Sequence, residues 1–197
     1  MDFAPELRWT AAALPDTGLN LVAVYSPEDH TVRASGVAVP DDGEPHAAAI
    51  GRLLLTLMDR LAVLDPPTAD REMHPLPVEP RAGVAKPVAD ALGAYAAGHV
   101  AALDALAVTQ PGTAFRQAAW AALRGITPGA PVSYTELAQR AGSPRAVRAA
   151  GGACAANLVA VVVPCHRVVP TSGGVGQYLY GPAAKRALLE HEARHVA

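Results

Sequence analysis

Residues 161–169 read Val-Val-Val-Pro-Cys-His-Arg-Val-Val, and the rest of the chain is best interpreted outward from this stretch. Three consecutive β-branched residues predict a short strand buried on both faces. Pro164 cannot donate to a sheet ladder, so we expect the strand to end there. Cys165 and His166 follow where the chain leaves the core, and an imidazole can take the proton of a nearby thiol. On this dipeptide alone, a buried cysteine acting as a small hydrophobe is the commoner alternative.

Composition predicts a folded chain that lies in a reducing compartment. The 197 residues are 51% hydrophobic, which suits one large domain or two small ones. Two cysteines, Cys154 and Cys165, imply no disulfide framework. The first residues lack the basic and apolar regions of a signal peptide, and no uncharged apolar run reaches about 20 residues. We therefore expect a soluble, cytoplasmic protein with no membrane contact.

Charge is distributed unequally between the two halves. Through Thr109 there are seven Lys and Arg against fifteen Asp and Glu, whereas from Gln110 onward there are nine against three. A basic C-terminal half is compatible with a polyanionic partner such as DNA or RNA. Basic halves also occur in proteins without such partners, so charge alone leaves both possibilities open.

The N-terminal half, residues 1–109, predicts a small α/β scaffold. Residues 19–26 and 31–39 have strand character and a turn between them, which predicts a β-hairpin. Apolar residues at helical spacing predict one long helix over residues 46–64. Prolines recur over residues 65–87, where we expect little regular structure, and Pro87 suits the first turn of a helix reaching about residue 100. The histidines here are isolated and have no cysteine nearby, so no metal site is predicted.

The C-terminal half, residues 110–197, has clear helix boundaries. Thr113 is a candidate N-cap, and Ser133 with Glu136 forms a capping box. The second of these helices should stop at Gly142, and Ser143 should cap another helix over residues 145–156. Two short helices across a glycine turn predict a helix-turn-helix, although an ordinary αα-corner has the same pattern.

The helix over residues 145–156 is almost wholly Ala, Gly and Val apart from Arg145 and Arg148. It lacks the Asn, Gln and Arg side chains that read bases in the major groove. Its thin face, formed by Ala149, Gly151, Gly152 and Ala153, could instead enter the minor groove, where shape and backbone are read with little sequence preference.

The last helix should begin at Gly181-Pro182 and place Glu192 on its apolar face. A buried carboxylate needs a partner, most simply a histidine, but a solvated helix end is an equal alternative. Residues 191–195 also match H-E-x-x-H. A catalytic zinc needs a third protein ligand, which the sequence does not supply, so no metal is expected.

The ordered set of motifs resembles the O6-alkylguanine-DNA alkyltransferase family over roughly residues 110–197. The residues that carry the resemblance are Pro164-Cys165-His166-Arg167-Val168-Val169, Thr113-Ala114-Phe115 with Trp120, Val132-Ser133-Tyr134 with Leu137-Ala138, 143–149, Asn157, Gly176 with Tyr178, and Lys185 with Leu188-Leu189 and Glu192. A Cys-His pair alone would be weak evidence, whereas this ordered series is specific.

The resemblance implies a catalytic role for five residues. Cys165 would accept the alkyl group by in-line attack, and His166 would take the thiol proton through a water molecule. Glu192 would orient and stabilise that imidazole. Asn157 would stiffen the turn around Cys165, and Tyr134 would donate a proton to the departing guanine.

The resemblance also implies a base pocket and a DNA surface. Cys165 and Val168 would offer backbone carbonyls to the flipped base, and the pocket would comprise Tyr134, Val168, Tyr178 and Leu179. Arg148 would fill the gap left by the base. The implied DNA-contacting set is Thr113, Ser143, Arg145, Arg148, Ala149 and Gly151. The implied partner is double-stranded DNA carrying O6-alkylguanine, bound through the minor groove without sequence specificity by a monomer that needs no cofactor and acts once.

Two features depart from the family pattern. Leu179 stands where relatives often have a small polar residue, which puts one leaving-group contact in doubt. The N-terminal half has no cysteine for the zinc site of some relatives. The expected fold is thus an α/β N-terminal domain followed by a mainly α, winged-helix-like catalytic domain. The rival functions are a winged-helix regulator without chemistry and, on the H-E-x-x-H match, a zinc peptidase.

Overall fold

The computed structural model describes residues 6–75 and 86–196, in which a sheet with covering helices precedes a mainly helical part. The first part contains strands β1 (Glu6–Leu14), β2 (Leu19–Tyr25), β3 (Val32–Ala38) and β4 (Glu72–Pro75), and helices α1 (His46–Leu64), α2 (Pro66–Ala69) and α3 (Pro87–Ala96). The second part contains α4 (Ala114–Arg124), β5 (Val132–Ser133), α5 (Tyr134–Arg140), α6 (Val147–Ala156), β6 (Val168–Val169) and α7 (Pro182–His195). Short 3₁₀ turns lie at Ala102–Ala105 and Cys165–Arg167.

None of the helices in the described ranges is both long and apolar enough to cross a bilayer.

The predicted hairpin and long helix are confirmed. The sheet has the order β3-β2-β1-β4, with β2 antiparallel to both β3 and β1, and with β1 parallel to β4. Helix α1 packs on β2 and β3 through Leu53, Leu57 and Leu61, which are buried and spaced four residues apart. This spacing places them on one face, which explains why the helix could be predicted from the sequence.

Other predictions for the N-terminal half were partly wrong. Residues 65–87 include α2 and β4, because Pro66 occupies the first helical position and Pro75 lies on an edge strand, where proline is tolerated. Residues 76–85 of this stretch lie outside the described ranges. The helix from Pro87 ends at Ala96 because Gly98, at φ +100°, forms a left-handed C-terminal cap in which the His99 amide donates to the Ala94 carbonyl at 2.9 Å.

The strand predicted at residues 161–163 is also wrong. Val161 has φ +75°, and the chain makes a tight turn in which the Val163 amide donates to the Val159 carbonyl at 2.8 Å. The side chains of the three valines are buried as expected. Their backbone, however, forms a turn and not a strand hydrogen-bonded within a sheet. A positive φ at a β-branched residue is strained by about 1–3 kcal/mol, and such strain persists only where the surroundings enforce it.

Helix caps in the C-terminal half are confirmed at two of three positions. Thr113 caps α4, and the Ser133–Glu136 capping box begins α5. Ser143 does not cap α6: its carbonyl accepts from the Ala146 amide at 2.9 Å in a separate turn, and the helix begins at Val147. Pro144 therefore lies in a turn that precedes α6 and not in the first turn of the helix.

Strand β3 is bonded directly to the segment that leads to the cysteine. The Ser35 amide donates to the Leu158 carbonyl at 3.0 Å, and the Ala160 amide donates to the Ser35 carbonyl at 3.1 Å. The Ser35 hydroxyl adds a bond to the Ala160 carbonyl at 2.8 Å. The boundary near residue 109 remains a prediction, but these bonds join the sheet to the segment that leads to Cys165.

Candidate active site

Cys165 lies at the first position of the 3₁₀ turn that follows the strained turn, and it is 6% exposed. Asn157 braces this backbone: its Nδ2 donates to the Val163 carbonyl at 2.8 Å, and its Oδ1 accepts from the Val159 amide at 3.1 Å. The side chain of Gln110 holds Asn157 in turn, through a bond to Oδ1 at 3.1 Å. The cysteine is therefore rigidly placed by buried amide groups.

A cavity of about 190 Å³ opens beside Cys165. It is smaller than the roughly 300–1,000 Å³ typical of sites for drug-sized ligands. It brings together six residues singled out from the sequence and four others; the lining comprises Tyr134, Gly151, Cys154, Ala155, Asn157, Ala160, Cys165, Gln177, Tyr178 and Leu179.

Val168 is the predicted pocket residue that does not line this cavity. Its carbonyl accepts from Nζ of the buried Lys185 at 2.7 Å, so a base amino group would have to share that oxygen. Leu179 stands at the mouth and is 55% exposed, which leaves an apolar side chain in solvent at the entrance.

Glu192 is fully buried and accepts hydrogen bonds from three side chains, two of which belong to the residues that follow Cys165 in the chain. His166 Nε2 donates to Oε1 at 2.9 Å, and the Tyr95 hydroxyl donates to the same oxygen at 2.9 Å. Arg167 forms a bidentate pair, with Nη2 2.9 Å from Oε1 and Nε 2.9 Å from Oε2. Glu192 therefore lies on a buried helix face and not at a solvated end.

The protonation states within this cluster follow from burial and charge. Burial alone would raise the pKa of Glu192, but His166 and Arg167 outweigh it and lower the pKa to about 2. Burial lowers the pKa of His166, and the attraction of Glu192 offsets part of that effect. At neutral pH the imidazole is therefore uncharged, with its proton on Nε2 facing the carboxylate. Its Nδ1 is buried without a hydrogen-bond partner in the described ranges, which leaves it able to accept a proton.

The pocket groups keep their protons at neutral pH. Burial raises the pKa of the Cys165 thiol, and the Asn157 hydrogen bond and nearby Lys185 compensate only in part. Burial also raises the pKa of Tyr134 and, more strongly, that of Tyr178, whose hydroxyl is buried and unpaired among the residues described. A proton acceptor is therefore needed to activate the thiol, and two tyrosine donors face the same cavity.

The predicted DNA-contacting residues lie on α6, in the turn that precedes it, and at the start of α4. Arg145, Arg148, Ala149 and Gly152 are exposed, whereas Gly151 is half-buried, its α-carbon facing the ring of Tyr134. Ala153 is fully buried, so its assignment to the thin face was wrong. Thr113 is the exposed N-cap of α4, and Ser143 is half-buried in the turn between α5 and α6.

Other interactions engage the residues of the H-E-x-x-H match. His191 Nε2 donates to the Tyr95 carbonyl at 2.9 Å, and His195 Nδ1 donates to the His191 carbonyl at 2.8 Å. The intervening Glu192 faces His166 and Arg167. No group of three or more metal-binding side chains occurs among the residues that the structure describes.

Sequence reasoning missed several members of the site. Arg167 is the second partner of Glu192, and a cation beside His166 in the sequence was a usable signal because a buried carboxylate pairs readily with arginine. Tyr95 and Gln110 carried no such signal, since they lie 97 and 47 residues from the groups that they contact. Cys154 lines the cavity, and burial raises the pKa of its thiol far above the usual value.

Comparison with known proteins identifies relatives of the C-terminal half. Residues 114–194 match the family described as "6-O-methylguanine DNA methyltransferase, DNA binding domain". The methylated-DNA--protein-cysteine methyltransferase of Salmonella typhimurium is 42% identical over 105 residues, which are 53% of this chain and 61% of that protein. The chain thus spans under two thirds of this relative's length.

Further similarity covers more of the molecule. The methylated-DNA--protein-cysteine methyltransferase of Mycobacterium bovis is 42% identical over 113 residues, which are 57% of this chain and 68% of that protein. The crystal structure of Mycobacterium tuberculosis OGT in complex with DNA superposes with a TM-score of 0.65 and 27% identity, covering 97% of this chain and 94% of that one. The chain therefore belongs to the methylated-DNA--protein-cysteine methyltransferase family.

Proposed function

We propose that this protein repairs DNA by transferring a methyl or larger alkyl group from O6 of guanine to Sγ of Cys165, once per molecule. The observation that carries the proposal is a buried cysteine on the wall of a cavity of about 190 Å³, adjacent in sequence to a histidine whose Nε2 is fixed and whose Nδ1 can accept a proton. The names of the relatives, and the DNA bound in a similar structure, support methylated DNA as the substrate.

The thiol is activated by His166. Because burial raises the pKa of Cys165, the thiolate forms only as its proton leaves for Nδ1 of His166 through a bridging water. The imidazolium produced is stabilised by the ionised Glu192, 2.9 Å from Nε2. The pKa of Glu192, lowered to about 2, keeps this carboxylate charged throughout the neutral range.

The transfer step forms a bond between Cys165 Sγ and the alkyl carbon while the bond from that carbon to guanine O6 breaks. The bonding electron pair remains on the base, and Tyr134, protonated at neutral pH, donates a proton to it. The imidazolium proton of His166 then returns to Tyr134 through solvent. A thioether is a poor leaving group, so Cys165 is not regenerated and no cofactor takes part. O4-alkylthymine is a further candidate substrate.

DNA is bound by a helix-turn-helix, α5 and α6, in a winged-helix-like domain. The exposed Ala149 and Gly152 make a thin helix surface suited to the minor groove, and the exposed Arg145 can neutralise a phosphate. A base flipped into the cavity beside Cys165 leaves a gap in the stack, which Arg148 fills. Such contacts read shape and backbone, so the binding of a monomer to duplex DNA is not sequence-specific.

Intact mass after incubation with duplex DNA containing O6-methylguanine tests the proposal. We expect one methyl mass per chain, mapped to Cys165 by peptide analysis, and none in Cys165→Ser. Cys154→Ser is the matched control, because Cys154 lines the same cavity. Methylation of Cys154 or several turnovers per chain would refute the mechanism.

A further inference from the structure

Tyr95 joins the N-terminal half of the molecule to the catalytic cluster. It lies on α3, is 0% exposed, and its hydroxyl donates to Glu192 Oε1 at 2.9 Å. Its carbonyl accepts from His191 Nε2 at 2.9 Å, so both its side chain and its backbone bond to α7. The ring also lies 5.2 Å from that of His191. The backbone bond to His191 and the hydroxyl bond to Glu192 thus fix the position of Tyr95 against α7.

The carboxylate oxygen that Tyr95 contacts is the one that His166 uses. Oε1 accepts from Tyr95, from His166 Nε2 and from Arg167 Nη2, each at 2.9 Å, whereas Oε2 is 2.9 Å from Arg167 Nε. A third donor on a shared oxygen fixes the carboxylate in the plane that faces the imidazole. It also withdraws negative charge from that oxygen, which weakens the pull of Glu192 on a protonated His166.

Resting on the proposed function, we propose that Tyr95 is a positioning residue for alkyl transfer. It holds Glu192 Oε1 toward His166 Nε2 and keeps His166 neutral, and therefore able to accept the Cys165 proton.

The groups around His166 decide the direction of the effect. Burial and the cations Arg167, from the same turn, and Lys185, from α7, lower the pKa of His166, whereas the Glu192 carboxylate raises it. Cys165, its neighbour in the turn, is protonated at rest. Burial raises the pKa of Tyr95 well above its usual value, so from α3 it acts as a neutral donor across the working pH range. Removing that donor leaves more negative charge on Oε1 and raises the pKa of His166.

Tyr95→Phe tests this assignment because it removes one oxygen and keeps the ring. We expect single-turnover methyl transfer to slow by about tenfold, because Glu192 Oε1 is no longer held toward His166 Nε2. Tenfold is the scale of one hydrogen bond to a charged group. The acidic limb of the pH–rate profile should also move to higher pH, because a more basic His166 stays protonated longer. Tyr25→Phe is the matched control: Tyr25 is a buried tyrosine on β2, beside His30 and outside the Glu192 cluster.

A second readout does not depend on turnover. Titration of the His166 ring by NMR, assigned with His166→Gln, should give a higher pKa in Tyr95→Phe than in the wild type and in Tyr25→Phe. If Cys165 of the wild type stays unmodified, the proposed function is refuted. A His166 pKa that is higher in Tyr95→Phe than in the wild type would still support the link from Tyr95 to His166. Unchanged His166 titration together with unchanged transfer rates would overturn the inference.

Discussion

Replacing Glu192 with glutamine removes the charge at the centre of the buried cluster while keeping the size of the side chain. In the wild type, one carboxylate receives hydrogen bonds from Tyr95, His166 and Arg167. A glutamine amide offers one acceptor oxygen in place of two, and its NH₂ group faces donors. The substitution therefore leaves at least one donor unpaired and removes the counter-ion of the imidazolium that the proposed mechanism forms.

The size of the rate effect follows from the bond between His166 and Glu192. A hydrogen bond to a charged group contributes about 1.5–3 kcal/mol. Since each 1.36 kcal/mol changes a rate about tenfold, losing this bond in the transition state slows transfer roughly 10- to 150-fold. DNA affinity should barely change, because Glu192 is fully buried.

The same change also lowers stability. The Arg167 side chain is 3% exposed, so Glu192→Gln leaves a buried cation without its anion. Breaking a buried pair on one side costs about 3–5 kcal/mol, a large part of the roughly 5–15 kcal/mol of a typical domain. Urea unfolding must therefore accompany the kinetics, so that rates are compared only where the variant is folded.

Single-turnover rates on duplex DNA containing O6-methylguanine, with DNA affinity measured separately, provide the assay. Glu190→Gln is the matched control, since Glu190 is exposed on the same helix. An unaltered transfer rate in folded Glu192→Gln would show that the carboxylate serves stability alone, and the base role of His166 would lose its support.

Three further outcomes are expected. Arg148→Ala should slow repair of duplex DNA strongly yet leave the reaction with free O6-benzylguanine nearly intact; equal losses on both substrates would make Arg148 merely structural. Tyr134→Phe should impair both reactions, because the departing base needs a proton with or without DNA; a normal rate with the free base would contradict this. Acidification should lower the free energy of unfolding. The pKa of His166 is lower in the folded state than in the unfolded state, so this free energy falls below about pH 6.5. The pKa of Glu192 is lowered to about 2 in the folded state, so the free energy falls further as the pH drops from about 4.5 toward 2. Urea midpoints between pH 7 and pH 3 measure it, and a rise would refute the assignment.

Local patterns predicted those parts of the fold that depend on neighbouring residues in sequence. Helix α1 has a continuous apolar stripe, and the capping box at Ser133 is complete within four residues, so each was visible in the chain. The strand prediction for residues 161–163 was wrong because strand propensity reflects how β-branched side chains pack. It does not determine which groups hydrogen-bond to their backbone. In this stretch, the positive φ of Val161 and the hydrogen bonds from Asn157 determine the backbone conformation.

The site was predictable to the extent that its chemistry is local. Cys165 and His166 are adjacent, and Glu192 could be placed on an apolar helix face that demands a partner. Which partners meet it depends on contacts across the fold. Tyr95 reaches Glu192 from 97 residues away, and no periodicity in either helix predicts that meeting.

These distant contacts connect the N-terminal half to the residues of the candidate site. Arg60 of α1 donates to the Ala155 and Asn157 carbonyls at 3.2 Å each, which satisfies the C-terminal end of α6 where the chain turns toward the cysteine. Ser35 bonds to the next residues of that segment, and the Tyr95 hydroxyl donates to the Glu192 carboxylate. A strained turn persists only when its surroundings enforce it. Because donors and acceptors from the sheet and its helices supply much of that enforcement, the conformation of the turn that leads to Cys165 depends on residues that carry no catalytic motif.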